Sequence, residues 1–376
     1  MKKLVLAALV GFVLTGCGGG GGSDESKPTP PTPDVQPAAV QGAIQEVHGN
    51  DIIINGRRYT VSSVNYDKQE LAEGTSLLKP QMMVQLKRQA KSGVIVELEP
   101  TFLGQITNVN HQADTFSING VNLSFAGLSN EINNDDWVMV SALPMATNNG
   151  LSYKVLSVIE VENTDLAGHY ELEGAIAQLG NESSIFKLGQ VTVDYSNISL
   201  PVGIKNGDWV EVTGQYIKPN FIASEVELET YDESDNDHEI EGIVTWVNSD
   251  KSQFELNARG RFVVNSQTRF EDGSKVNLVA GELVEVTAVN GVAKEIEFER
   301  DFGGETGNWR EFEREGYASS VGYDHFMIAG ETFYVDAYTE FEDNLKLETL
   351  NGVYIDVEGV IINGKKVARE IEREDD

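Results

Sequence analysis

One short pattern occurs five times in this chain. Repetition constrains a fold more than composition does, because each copy must bury its apolar face by the same geometry. Each copy opens with a glycine inside a β-like segment: Val40-Gln41-Gly42-Ala43-Ile44, Leu103-Gly104-Gln105-Ile106, Leu172-Glu173-Gly174-Ala175-Ile176, Ile240-Glu241-Gly242-Ile243-Val244 and Arg314-Glu315-Gly316-Tyr317-Ala318. These glycines recur at roughly 60–75 residues. A hairpin follows, as in Ile54-Asn55-Gly56 before Tyr59-Thr60-Val61, or Ile118-Asn119-Gly120 before Leu123-Ser124-Phe125. Asn-Gly suits a tight turn because both central residues tolerate positive φ. A later strand reads Trp137-Val138-Met139-Val140, Trp209-Val210-Glu211-Val212, Leu283-Val284-Glu285-Val286 or Tyr354-Ile355-Asp356-Val357. A final strand reads Val94-Ile95-Val96-Glu97-Leu98-Glu99, Val226-Glu227-Leu228-Glu229, Ile296-Glu297-Phe298-Glu299 or Ile371-Glu372-Arg373-Glu374.

The period of these segments is two, so they are strands with one buried face, and no amphipathic helix competes with them. The expected class is all-β. About five short strands in about 60 residues, with glycine at sharp bends, fit a small closed barrel of the OB type. The reading is five tandem barrels: residues 39–100, 101–163, 169–230, 238–300 and 312–376, following one another like beads in an elongated acidic rod. A five-bladed propeller is the rival, although its blades are usually shorter, at about 40–50 residues. The first-strand glycine is expected at a bulge or barrel corner. The second copy departs most, with a divergent middle at Ser129 to Asn134. Together these motifs resemble the tandem OB-like repeats of a domain-of-unknown-function family found in bacterial lipoproteins, over about residues 39–376. The resemblance implies an envelope location and β-barrel repeats. It implies no activity and carries over no functional residue.

The start of the chain fits that location. Lys2-Lys3 precede an apolar run from Leu4 to Leu14, which ends at Leu14-Thr15-Gly16-Cys17. The run is too short to span a bilayer, which takes about 20 apolar residues. The pattern resembles a bacterial lipoprotein signal: residues 1–16 as the leader, and the thiol of Cys17, the only cysteine, as the lipidation site. Three acyl chains would anchor the mature protein stably, since each buried CH₂ is worth about 0.8 kcal/mol. Gly18 rather than aspartate after the cysteine implies the outer membrane, facing either the periplasm or the surface. Residues 17–38, rich in glycine and then proline, read as a tether.

Acid dominates: 60 Asp and Glu against 28 Lys and Arg give a net charge of −32. Nucleic acid is excluded as a partner, because phosphate binding needs clustered Lys and Arg. With Cys17 lipidated there is no thiol for a disulfide or a metal. Carboxylates recur at i, i+2 on the final strands: Glu97/Glu99, Glu160/Glu162, Glu225/Glu227/Glu229, Glu295/Glu297/Glu299 and Glu370/Glu372/Glu374. Such pairs point to one face about 6.5–7 Å apart, and two flexible glutamates could share a Ca²⁺. The plainer alternative is a solvated outer face. Asp235 and Asp237 lie in the acidic stretch Asp232–Glu239, which fails as an EF-hand because Ile240 and Trp246 stand where glycine and glutamate belong. An acidic hinge is the expectation there. The candidate metal residues are therefore Glu225, Glu227, Glu229, Glu295, Glu297, Glu299, Asp235 and Asp237, for weak Ca²⁺ binding.

No His pair has metal-binding spacing, and no Gly-x-Ser-x-Gly, Walker loop or Rossmann fingerprint occurs. No catalytic residue and no cofactor is assigned. Trp137, Trp209 and Trp246 read as packing residues, and Trp309 as an exposed one. The expected function is that of a non-enzymatic envelope lipoprotein whose modules form an interaction or scaffold surface for an envelope protein. Binding of a glycan or divalent cations is the alternative. Glycan processing by strand carboxylates is less favoured, because five similar faces do not make one shaped pocket.

Overall fold

The computed structural model describes residues 37, 39–88, 93–147, 150–161, 165–180, 183–231, 237–299, 311–362 and 364–374. Cys17, Asp235 and Trp309 lie outside them. The described residues are all-β: strands joined by turns and three short 3₁₀ segments, with no α-helix among them.

The third barrel gives the pattern. Its strands are Tyr170–Ala177, Ile185–Leu188, Val191–Asp194, Trp209–Ile217 and Asn220–Leu228. They pair in the order first, second, third, fifth, fourth and back to first. The third and fifth strands run parallel, with Val193 opposite Phe221. The fourth barrel closes through a parallel contact of Val263 with Val292, and the fifth through Phe333 with Lys366. In the first barrel the opening strand bends between Ala39–Ala43 and Glu46–His48, and Arg57–Tyr66 runs parallel to Val94–Leu98. Closure leaves few unpaired edges, which would otherwise recruit foreign strands.

The second barrel stays open. Among the described residues no ladder joins its third strand, Val121–Ser124, to its fifth, Gly150–Glu160. Its last two strands form a long hairpin that pairs with the opening strand only along residues 102–105. The Tyr153 hydroxyl donates to the Glu173 carbonyl at 2.7 Å, and its ring meets Phe102 edge-to-face at 4.8 Å. The hairpin is thus tied both to the opening strand of its own barrel and to the third barrel.

The first-strand glycines make room for side chains. A Cβ on Gly104 would collide with the Asn119 amide, and one on Gly242 with the Asn257 amide. Each asparagine sits at a hairpin turn with φ near +50° and folds back onto the opening strand. Asn119 Nδ2 donates to Leu103 O at 2.9 Å, and Asn257 Oδ1 accepts from Ile243 N at 2.8 Å. The expected corner is thus a close approach that any larger residue would block.

The expectation of separate beads in a rod is corrected. Ala39–Gln41 pairs parallel with His238–Ile240, joining the first and fourth barrels in one sheet. Glu171 and Leu172 pair with Leu103 and Phe102, joining the third to the second. The second and third barrels share one core that includes Phe102, Phe116, Phe186 and Phe221. Leu103 and Met139 of the second barrel pack into the core of the first. Full burial of a side chain this size is worth roughly 1.5–3 kcal/mol, so these shared residues hold barrels together as well as filling them.

Candidate functional site

Strand register lines up carboxylates across the outer faces of the third, fourth and fifth barrels. In the third, Glu173 lies opposite Glu211, which lies opposite Glu227. The fourth repeats this with Glu241, Glu285 and Glu297. The fifth has Glu315, Asp356 and Glu372. The first carries Gln41, Gln85 and Glu97 at these places, and the second carries Leu103, Met139 and Ile159.

On the third and fourth barrels these faces are not the solvated surfaces that the plainer sequence reading expects, whereas Glu315 of the fifth is exposed. Glu171 and Glu173 are each 1 % exposed and Glu239 is 0 % exposed. The outer faces of the first and third barrels and the opening strand of the fourth meet around a cavity of about 300 Å³, lined by Glu97, Glu99, Glu171, Glu211, Glu227 and Glu229 among others. Oxygens of Glu171, Glu173 and Glu211 all lie within 4.8 Å of one another.

Glu171, Glu173, Glu227 and Glu239 are each answered from a neighbouring barrel. The Tyr66 hydroxyl of the first barrel donates to Glu171 Oε2 at 2.5 Å. Arg259 of the fourth barrel pairs with Glu173, and its other terminal nitrogen lies 3.8 Å from Glu229. The same guanidinium sits 5.4 Å from the centre of the Trp209 ring, whose Nε1 donates to Glu173 at 3.2 Å. Lys68 of the first barrel lies 3.3 Å from Glu227. On the fourth barrel Glu239 takes Arg57 and the Asn55 amide, both from the hairpin of the first.

Burial sets the protonation of the cluster. It raises Glu173 to about 7 against the opposing pull of Arg259. Burial, then the charges of Glu173, Glu229 and Glu227, raise Glu211 to about 8. Glu171 and Glu99 stand well above the usual carboxylate range, burial being the first cause and nearby glutamates the next. Near neutral pH the cavity therefore keeps protons that exposed glutamates would have lost. Such a site can bind a cation by exchanging protons for it, and its oxygen-only donors suit a hard ion such as Ca²⁺.

Of the residues expected to bind metal, Glu227 and Glu229 reach this cavity, while Glu225 is exposed further along the strand. Glu295 pairs with Arg269 at 2.6 Å on the fourth barrel, and Glu297 lies opposite Glu285. Glu299 is part-buried, and Asp237 is exposed. The two glutamate triplets thus belong to different barrels. The residues that sequence reasoning missed are Glu171, Glu173, Glu211 and Glu239. For Glu171, Glu173 and Glu239 the signal was present: a glutamate one and three places before the repeat's glycine, as in Glu171/Glu173 before Gly174 and Glu239/Glu241 before Gly242. Trp209 and Trp246 are buried, as expected of packing residues, and Trp246 has Arg261 over its ring at 4.7 Å.

The model of a family described as a domain of unknown function (DUF5666) matches residues 241–297 and 315–372, the fourth and fifth barrels. These two stretches, less than half of the chain, are similar to that family. No curated protein matches the chain.

Proposed function

We propose that this chain is a lipid-anchored, non-enzymatic protein of the bacterial outer membrane, whose OB-like repeats form one scaffold that presents interaction surfaces to an envelope protein or glycan. The observation that carries this reading is the pairing at the barrel junctions. The buried carboxylates of Glu171, Glu173 and Glu239 are engaged by Tyr66, Arg259 and Arg57 of neighbouring barrels, which is what cementing a scaffold requires. The OB-like assignment is supported by the first-second-third-fifth-fourth strand order and its parallel closing pair. Anchoring at Cys17 rests on the lipoprotein-like leader. Metabolic labelling with an alkyne fatty acid in a Gram-negative host tests the anchor: label on the wild type and none on Cys17→Ser is expected, and equal label on both refutes it.

A second reading, binding of Ca²⁺ in the junction cavity, is favoured by the convergence of Glu171, Glu173 and Glu211 within 4.8 Å. Calorimetry at pH 8 separates the two: saturable heat at millimolar Ca²⁺ that Glu211→Gln abolishes supports a cation site, and its absence leaves the cavity a structural junction.

A further inference from the structure

The second barrel leaves open what its siblings close. In the third barrel Thr192, Val193 and Asp194 pair in parallel with Asn220, Phe221 and Ile222 of the last strand. The first, fourth and fifth barrels close by parallel contacts at the same place. The equivalent residues of the second barrel are Asn122, Leu123 and Ser124. The Phe125 N–H donates to Asp114 O across their hairpin, as the Tyr195 N–H donates to Ser184 O in the third. Along such a hairpin the backbone groups face the neighbouring strand and turn away from it alternately. Phe125 faces its neighbour, so Asn122 and Ser124 turn their N–H and C=O outward. Among the described residues those outward groups have no hydrogen-bond partner.

Beside this bare edge lies a cleft of about 500 Å³. Asn122 and Ser124 form one lip, and Met145, Ser152 and Tyr153 of the long hairpin form the other. In a chain of net charge −32, no Asp, Glu, Lys or Arg is among the described residues that line it. The edge also ends the sheet that runs through Thr115–Ile118 and Phe102–Asn110 into the third barrel, so a strand added there extends an existing junction.

We infer that this cleft is a docking site for an extended, uncharged segment of a partner protein, which adds a strand along Asn122 and Ser124 and completes the second barrel. The inference rests on the scaffold reading and names the chemistry of its partner. Main-chain hydrogen bonds supply the affinity of such an addition, and a polypeptide strand is what satisfies this edge in the sibling barrels. The neutral lining favours neutral side chains, because a charge entering it would be desolvated without a counter-charge. The longer stretches of this chain outside the described residues, 17–36, 232–236 and 300–310, are rich in glycine, proline or acid and form strands poorly. A second protein is therefore the occupant.

The test uses the full-length lipidated chain in detergent and an end-blocked hexapeptide, Pro-Asn-Phe-Ile-Ala-Ser, the sequence of residues 219–224 that closes the third barrel. Hydrogen exchange read by mass spectrometry should show saturable protection of residues 121–125 and none elsewhere on the second barrel's opening strand. A copy of the peptide N-methylated at every residue after proline should bind at least about tenfold more weakly, because it has lost its donors. Ser124→Pro removes one outward N–H at a place where an edge strand tolerates proline, and should weaken the unmodified peptide by about fivefold. Equal binding of the N-methylated copy, protection away from residues 121–125, or no saturation at millimolar peptide would each overturn the inference. Protection of the same residues by cellohexaose and not by the peptide would assign the cleft to a glycan and overturn it as well. So would a dimer in light scattering that Ser124→Pro dissolves, which would make the edge a contact between copies. None of these outcomes bears on the Cys17 anchor, which the fatty-acid labelling tests separately.

Discussion

The sharpest consequence of the junction cavity is a stability that falls as pH rises. Glu211 is held at about 8 in the folded chain, against 4.5 for a free glutamate. The folded state therefore binds a proton that the unfolded state releases between pH 4.5 and 8. With more protons on the native side, unfolding free energy declines across that window by up to about 1.4 kcal/mol per pH unit for this one group, and it is flat outside it. The full shift corresponds to about 5 kcal/mol, and relaxation among the neighbouring glutamates reduces this to between about 2 and 5. Glu211→Gln keeps the shape and removes the ionisation. It should match the wild type at pH 4.5 and exceed it at pH 9 by that amount, a rise in melting temperature on the order of 4 °C for a chain this size. Calorimetric melting of both proteins at the two pH values measures it. If the gap between wild type and variant is the same at pH 4.5 and pH 9, Glu211 does not carry a buried, strained charge and the account of the cavity fails.

Other changes have equally definite outcomes. Arg259→Met leaves Glu173 buried without its cation and should cost about 3–5 kcal/mol at pH 8; the loss should shrink at pH 5, where Glu173 keeps its proton, and urea denaturation at both pH values reads it. Gly242→Ala drives a methyl group into the Asn257 amide and should destabilise by about 1–3 kcal/mol, seen as a lower denaturation midpoint. Arg57→Ala removes the guanidinium from the fully buried Glu239; faster hydrogen exchange across Ala39–Ala43 and His238–Val247, with the fifth barrel unchanged, is the expected signature.

Much of the architecture was legible because strand periodicity and turn chemistry are local. Asn55-Gly56 and Asn119-Gly120 announce their hairpins by the positive φ they require, and both turns are present. The alternation in Ile296-Glu297-Phe298-Glu299 correctly separates a core face, with Ile296 and Phe298 buried, from a polar one. What the polar face would meet was not legible. Glu173 and Glu315 occupy equivalent places in the repeat, yet one is 1 % exposed and the other lies in solvent. That contrast depends on Arg259, which reaches Glu173 from 86 positions away, and no local pattern encodes such a distance. The bead-like arrangement failed for the same reason. Nothing near Gly42 in the sequence announces that the strand beside it will pair with residues 238–240.

That long-range ladder also fixes an order of events. Ala43 and the carboxylate that accepts its N–H, Glu241, are 198 positions apart. At roughly 5–20 residues per second of synthesis, the opening strand exists for on the order of ten seconds or more before its parallel partner does. The edge that this ladder covers stays bare through that interval, so the barrel made first waits for the fourth, and any chain ending before residue 238 is left holding a strand in search of a partner.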